Sequence, residues 1–187
     1  DEVPALLDDV ETMEPTSSNS PGSAFRSVAV TYMYFGHPDR GLDLAERAYA
    51  WYERANPDGY QASKAIALYL AGRPEEALTF QRALADESPE AIVPQGRLGV
   101  LLALTGDTAG AETQERWLAE LERPYMHGAN DYWRAAILAH LDRKDEAVRL
   151  LRQALSDGRS YNGRAIDPWL MPLWDYESFE QLVAPRG

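Results

Sequence analysis

Four times along this chain a small residue follows a turn-forming residue by five positions. The pairs are Gly36 and Gly41, Gly72 and Ala77, Gly106 and Ala111, and Asp142 and Ala147. The turn residues stand 36, 34 and 36 positions apart. A period of about 34 residues is one supersecondary unit, too small to bury an apolar face alone, so it has to stack on its neighbours. This recurrence restricts the fold more than any composition does.

Each unit reads as helix, tight turn, helix. The first is "SAFRSVAVTYMYFG" followed by "HPDRGLDLAERAYAWYERANP", with Leu44, Ala48 and Trp51 on one helical face. The second is "GYQASKAIALYLAG" then "RPEEALTFQRALADESP". Pro74 suits a first helical turn, where its missing N–H is not needed, and Ala77, Phe80 and Leu84 are expected to face inward. In the third, "VPQGRLGVLLALTG" precedes "DTAGAETQERWLAELERP", with Asp107 as an N-cap and Ala111, Leu118 and Leu121 inside. The fourth, "ANDYWRAAILAHLD" and "RKDEAVRLLRQALSDG", buries Ala147, Leu150, Leu151 and Ala154 and stops at Gly158. Seven positions before each turn residue sits Ala29, Ala65, Gly99 or Ala135, small enough for two helices to approach closely. Three positions further on come Tyr32, Leu68, Leu102 and Leu138.

With these registers over residues 23–158 the chain resembles the tetratricopeptide repeat (TPR) family. The Trp that often opens that family's first helix is replaced by Phe25, Gln61, Gln95 and Asp131. The expected fold class is all-α: a right-handed TPR-like solenoid of about four helix-turn-helix units with a C-terminal capping segment. Three parts follow: an acidic arm over 1–22, repeats over 23–158, and a cap over 159–187.

A terminal repeat would expose its stacking face without a cap. The tail "DPWLMPLWDYESFEQLVAPRG" is apolar enough for that task, through Trp169, Trp174 and Phe179 with Leu170, Leu173 and Leu182. A short last helix is expected over 178–183. The tail is similar to the closing segment of bacterial multidomain TPR proteins. That similarity implies a regulatory C-terminal part of a larger signalling protein. The tail itself reads as a cap, and the other reading of it is an exposed Trp169 or Trp174 as a partner anchor. A start at Asp1 rather than Met leads to the expectation of a processed exported protein or an excised domain.

The formal charge is −12, and the first 22 residues hold six acids and no Lys or Arg. Phosphate binding draws on counterion release by basic surface, so general nucleic-acid binding is not expected. No apolar run nears the roughly 20 residues of a membrane span. The arm carries Val3, Leu6, Leu7 and Val10 at helical spacing, which makes them apolar anchors on this chain or on a neighbouring copy.

Chemistry is sparse. There is no Cys, so thiolate catalysis and Cys-based metal sites are excluded. His37, His127 and His140 have no ligand spacing, and no nucleophile elbow or phosphate loop occurs. No catalytic residue, no metal and no cofactor is expected, and the chain does not read as an enzyme.

The TPR resemblance implies a concave groove lined by the first helices. The register puts Arg26, Val30, Met33, Ile66, Tyr69, Val100, Tyr132 and Ala136 there, with Lys64, Arg97 and Arg134 adding positive charge. Gly96 falls in the same row. The family's clamp for a terminal carboxylate uses Lys, Arg and Asn, whereas these positions are mostly Val, Ile, Ala or Gly. The expected occupant is an apolar protein segment with some acidic residues, and residues 1–14 have that character. The expected function is a non-catalytic scaffold for a protein or peptide partner. Two other readings stand beside it: a structural subunit of a homo-oligomer or filament that self-assembles by arm exchange, and the bacterial regulatory segment.

Overall fold

The computed structural model describes residues 10, 14–16, 20–159 and 166–184. Eight helices form four antiparallel pairs: α1 (Pro21–Tyr34) with α2 (Pro38–Ala55), α3 (Gln61–Leu70) with α4 (Pro74–Glu87), α5 (Ile92–Leu104) with α6 (Thr108–Glu120), and α7 (Ala129–His140) with α8 (Lys144–Ser156). A 3₁₀ segment, Pro168–Leu173, and a last helix, α9 (Glu177–Val183), follow. No strand occurs among the described residues. The chain divides into two compact units, residues 1–80 and 81–187, with the boundary inside α4.

One backbone device explains the recurring spacing. Gly36, Gly72, Gly106 and Asp142 all adopt left-handed φ, at 79°, 72°, 83° and 60°. Each follows a helix C-cap and lets the next amide turn back. His37, Arg73, Asp107 and Arg143 donate to the carbonyls of Tyr32, Leu68, Leu102 and Leu138 at 2.8, 2.9, 2.9 and 2.8 Å. This is the Schellman closure, which satisfies carbonyls that the helix end leaves open. The same four residues then start the second helix. Their carbonyls accept from Gly41, Ala77, Ala111 and Ala147, the small residues of the spacing. A side chain at Gly41 would lie 2.5 Å from Met33 Cγ and 2.9 Å from the Ala29 carbonyl, so the pair closes only over a small residue. A fifth copy ends α8, where Gly158 has φ 97° and Arg159 donates to the Ala154 carbonyl.

Two helix starts, those of α1 and α6, are capped by sequence-local side chains. Ser20 and Ser23 form a reciprocal capping box ahead of Pro21, which begins α1 two residues before the expected Ser23. Asp107 Oδ1 accepts from the Gly110 amide at 2.9 Å, capping α6.

In the first unit Phe25, Ala29, Leu44, Ala48, Leu68 and Ala77 are buried. Lys64 is buried with them, fully enclosed. Its ammonium reaches Glu53 at 2.7 Å and the Pro57 carbonyl at 2.5 Å. A lysine placed by register in the groove is therefore a core residue that ties α2 to α3.

The inner face of α4 differs from its expected composition. Ala77 is buried, but Phe80 and Leu84 are only half-buried, while Gln81 and Ala85 are enclosed. The i, i+4, i+8 row from Ala77 prevails over residue hydrophobicity. Gln81 Nε2 donates to the Pro94 carbonyl at 2.9 Å, while its Oε1 is buried without a donor.

In the second unit α5 and α7 stack closely through glycines. A Cβ at Gly99 would meet Ile137 Cδ1 at 2.4 Å, and one at Gly96 would meet Trp133 Cγ at 2.3 Å. Gly99 thus serves contact with the next pair as well as with its own partner α6. Gly96 lies under an indole ring and does not line an open surface. The 3₁₀ segment packs on α7 and α9 packs on α8, burying Trp169, Leu170, Leu173, Phe179 and Leu182.

Candidate protein-binding faces

The eight residues that register assigns to a groove do not share one exposure. In the first unit Arg26, Met33 and Ile66 are half-buried, whereas Val30 and Tyr69 are 8% and 5% exposed. Nη1 of Arg26 is shielded from solvent and has no hydrogen-bond acceptor. In the second unit Val100, Tyr132 and Ala136 are all buried. An incoming segment cannot touch those three while they are covered.

Tyr132 is met by the chain's own tail. The Tyr132 hydroxyl donates to Asp167 Oδ2 at 2.7 Å. Asp167 Oδ1 accepts from the Trp169 amide at 3.2 Å, and the Asp167 carbonyl accepts from Trp174 Nε1 at 3.2 Å. The Trp169 ring stands edge-on to Trp133 with centroids 5.6 Å apart, and the Arg97 guanidinium lies 5.5 Å from its centroid. His140 hydrogen-bonds the Trp169 backbone, and loss of solvent pushes its pKa down to about 4. Trp169 is therefore enclosed, 5% exposed, and offers no surface anchor; Trp174 is half-buried and Phe179 is inside.

The positive charge expected around the groove is committed elsewhere. Lys64 is in the core, Arg97 faces Trp169, and Arg134 pairs with Glu115 at 2.8 Å and Asp131 at 2.9 Å. Asp131, at the position of the family's opening Trp, is thus an ion-pair residue. The arm anchors Val3, Leu6 and Leu7 lie outside the described residues, and Val10 is half-buried. Arg97, expected only to add positive charge, belongs to this cluster, whereas Asp167 and Trp133 were missed as members of a site. Their signal in the sequence was weak: an Asp-Pro-Trp step in the tail and a Trp beside a register position.

No group of three His, Cys, Asp or Glu among the described residues could hold a metal ion. His37 caps α2 without a side-chain hydrogen bond, and His127 sits in a loop with φ 47°. Among the described residues no helix is long and apolar enough to cross a membrane.

A family model described as tetratricopeptide repeat matches residues 60–80 and 131–153. These two stretches are similar to tetratricopeptide repeats. Each match spans a first helix, its left-handed turn and the start of the second helix. The other two pairs share the same turn hydrogen bonds. No curated protein and no solved structure matches the chain significantly. Tetratricopeptide repeats generally serve protein–protein interaction and are typically non-catalytic, which is the function class the matches support.

Proposed function

We propose that the chain is a non-catalytic TPR-type scaffold that binds an acidic, apolar protein segment along the first-helix face of its first unit. Arg26 carries the reading. Its Nη1 is withdrawn from water without an acceptor, and an unpaired buried donor on a cation costs about 1–3 kcal/mol or more. A carboxylate from a bound segment removes that cost with a charge-assisted hydrogen bond. Met33 and Ile66, half-exposed on the same row of helices, supply the apolar contact. Residues 1–14, acidic and bearing Val3, Leu6, Leu7 and Val10, are a natural occupant when no partner is present.

Site-specific photo-cross-linking tests this. A photoreactive residue at Met33 or Ile66 should join the chain to a protein partner or to residues 1–14. The same group at Glu75, exposed on a second helix, should not. Arg26→Ala should reduce the Ile66 adduct several-fold. Equal adducts at Ile66 and Glu75, or none at either, contradict the reading.

A further inference from the structure

The tail segment 167–174 buries Leu170 and Leu173 and also makes directional polar contacts with the face it covers. It meets the α5/α7 face through a carboxylate on a tyrosine hydroxyl and a tryptophan beneath a guanidinium. These are recognition contacts, directional and polar, of the kind that fix a bound peptide in a mostly apolar site. The segment also organises itself. Asp167 holds the Trp169 amide with its side chain and Trp174 Nε1 with its carbonyl. A segment that is internally ordered loses less entropy on docking.

A second observation comes from the seat. Trp133 is 4% exposed, and its Nε1 donor is buried without an acceptor. The ring is held against Gly96, Tyr132 and Trp169, so it has little room to turn toward another partner. Buried indole N–H groups normally find an acceptor. The tail therefore fills the seat while leaving one of its donors unused.

We propose that the α5/α7 face is a peptide site, occupied in the free chain by residues 167–174 as a displaceable internal ligand. Its external partner is a protein segment with an acidic residue two positions before a tryptophan. That segment places a carbonyl or carboxylate oxygen on Trp133 Nε1, an interaction the internal ligand lacks. Tyr132 and Arg97 read the acid and the ring, and the tail keeps the site closed until a better segment arrives. The inference extends the scaffold reading to the second unit and does not depend on Arg26.

The test uses the full chain with a protease site introduced between residues 160 and 165. After cleavage, a fluorescent peptide of residues 166–187 is titrated in and followed by anisotropy, while circular dichroism reports helix content. The peptide should exchange into the cleaved chain saturably, with helix content of the repeats retained. The uncleaved chain should bind it at least about 100-fold more weakly, because the tethered copy competes at an effective concentration near millimolar. Tyr132→Phe and Arg97→Ala should each weaken exchange several-fold. A cleaved fragment that excess peptide cannot displace, or whose release unfolds α5 and α7, overturns the proposal. If the introduced site itself disturbs folding, hydrogen exchange on the unaltered chain decides. Amides of residues 169–174 should open before those of α5 and α7. Their exchange only with global unfolding is the contrary result. Either failure leaves the Ile66 cross-link untouched, so the two readings fall separately.

Discussion

A left-handed residue at each turn is the smallest unit of this fold, and it can be probed one atom at a time. At Gly106, with φ 83°, an added Cβ would meet nothing within 4 Å, so Gly106→Ala isolates the backbone term. The left-handed conformation costs an L-residue about 1–2 kcal/mol, offset by about 0.4–1 kcal/mol from a stiffer unfolded chain. We expect a net loss of about 1 kcal/mol, read as a fall of about 2–4 °C in the melting midpoint. Asp142 adopts φ 60° without being glycine. Asp142→Gly should therefore be neutral to stabilising, the opposite sign. These turns were legible in the sequence because the device is local: one residue, two hydrogen bonds, and a small residue five positions on. Lys64 was not legible. Its burial depends on Glu53 and the Pro57 carbonyl arriving from the neighbouring helix and loop, which no period in α3 encodes.

At the scale of the element, the question is what lets one first helix lie on the next. In the second unit it is a pair of glycines with unequal tolerance. Gly96→Ala drives a Cβ into the rigid indole of Trp133, with contacts of 2.3 and 2.4 Å to Cγ and Cδ2. Overpacking of that kind costs about 1–3 kcal/mol. Gly99→Ala meets Ile137 Cδ1 and Cγ1 at 2.4 and 2.8 Å and Gln114 Cβ at 3.0 Å, aliphatic groups that can shift more than a fused ring, and the gain in helix propensity of about 1 kcal/mol offsets part of the strain. Urea unfolding should rank Gly96→Ala as clearly the more damaging. A reversed order would mean that the α5/α7 approach is not set by Trp133. Helical periodicity assigned Val100, Tyr132 and Ala136 to an open face, whereas all three are buried. It could not reveal that the face is covered, since the cover comes from Asp167 and Trp169, far away in sequence. Phe80 and Leu84 were misplaced for a related reason: hydrophobicity ranks residues, whereas the i, i+4 row chooses positions, and Gln81 occupies one with its Nε2 bonded to the Pro94 carbonyl.

At the scale of the whole molecule, acid offers a reading of how firmly the tail is seated. His140 touches the Trp169 backbone, and its pKa is depressed to about 4 by loss of solvent. The unfolded imidazole titrates near 6.5. Stability is therefore full above pH 6.5 and falls as the pH drops toward 4, where the unfolded chain takes up a proton that the folded chain refuses; below 4 this contribution levels off. Because His140 keeps partial exposure, the loss should be about 1–3 kcal/mol, and His140→Gln should flatten that part of the pH profile in urea unfolding.

On the proposed reading the repeat array receives another protein's segment and the chain is a monomer. Light scattering of the full chain, beside a version beginning at Ser20 that keeps the Ser20–Ser23 cap of α1, separates this from self-assembly. The full chain should run at its monomer mass of 20.9 kDa, and removal of residues 1–19 should leave it a monomer. A full chain at a multiple of that mass, falling to monomer on that removal, would overturn the reading and make the arm a link between copies.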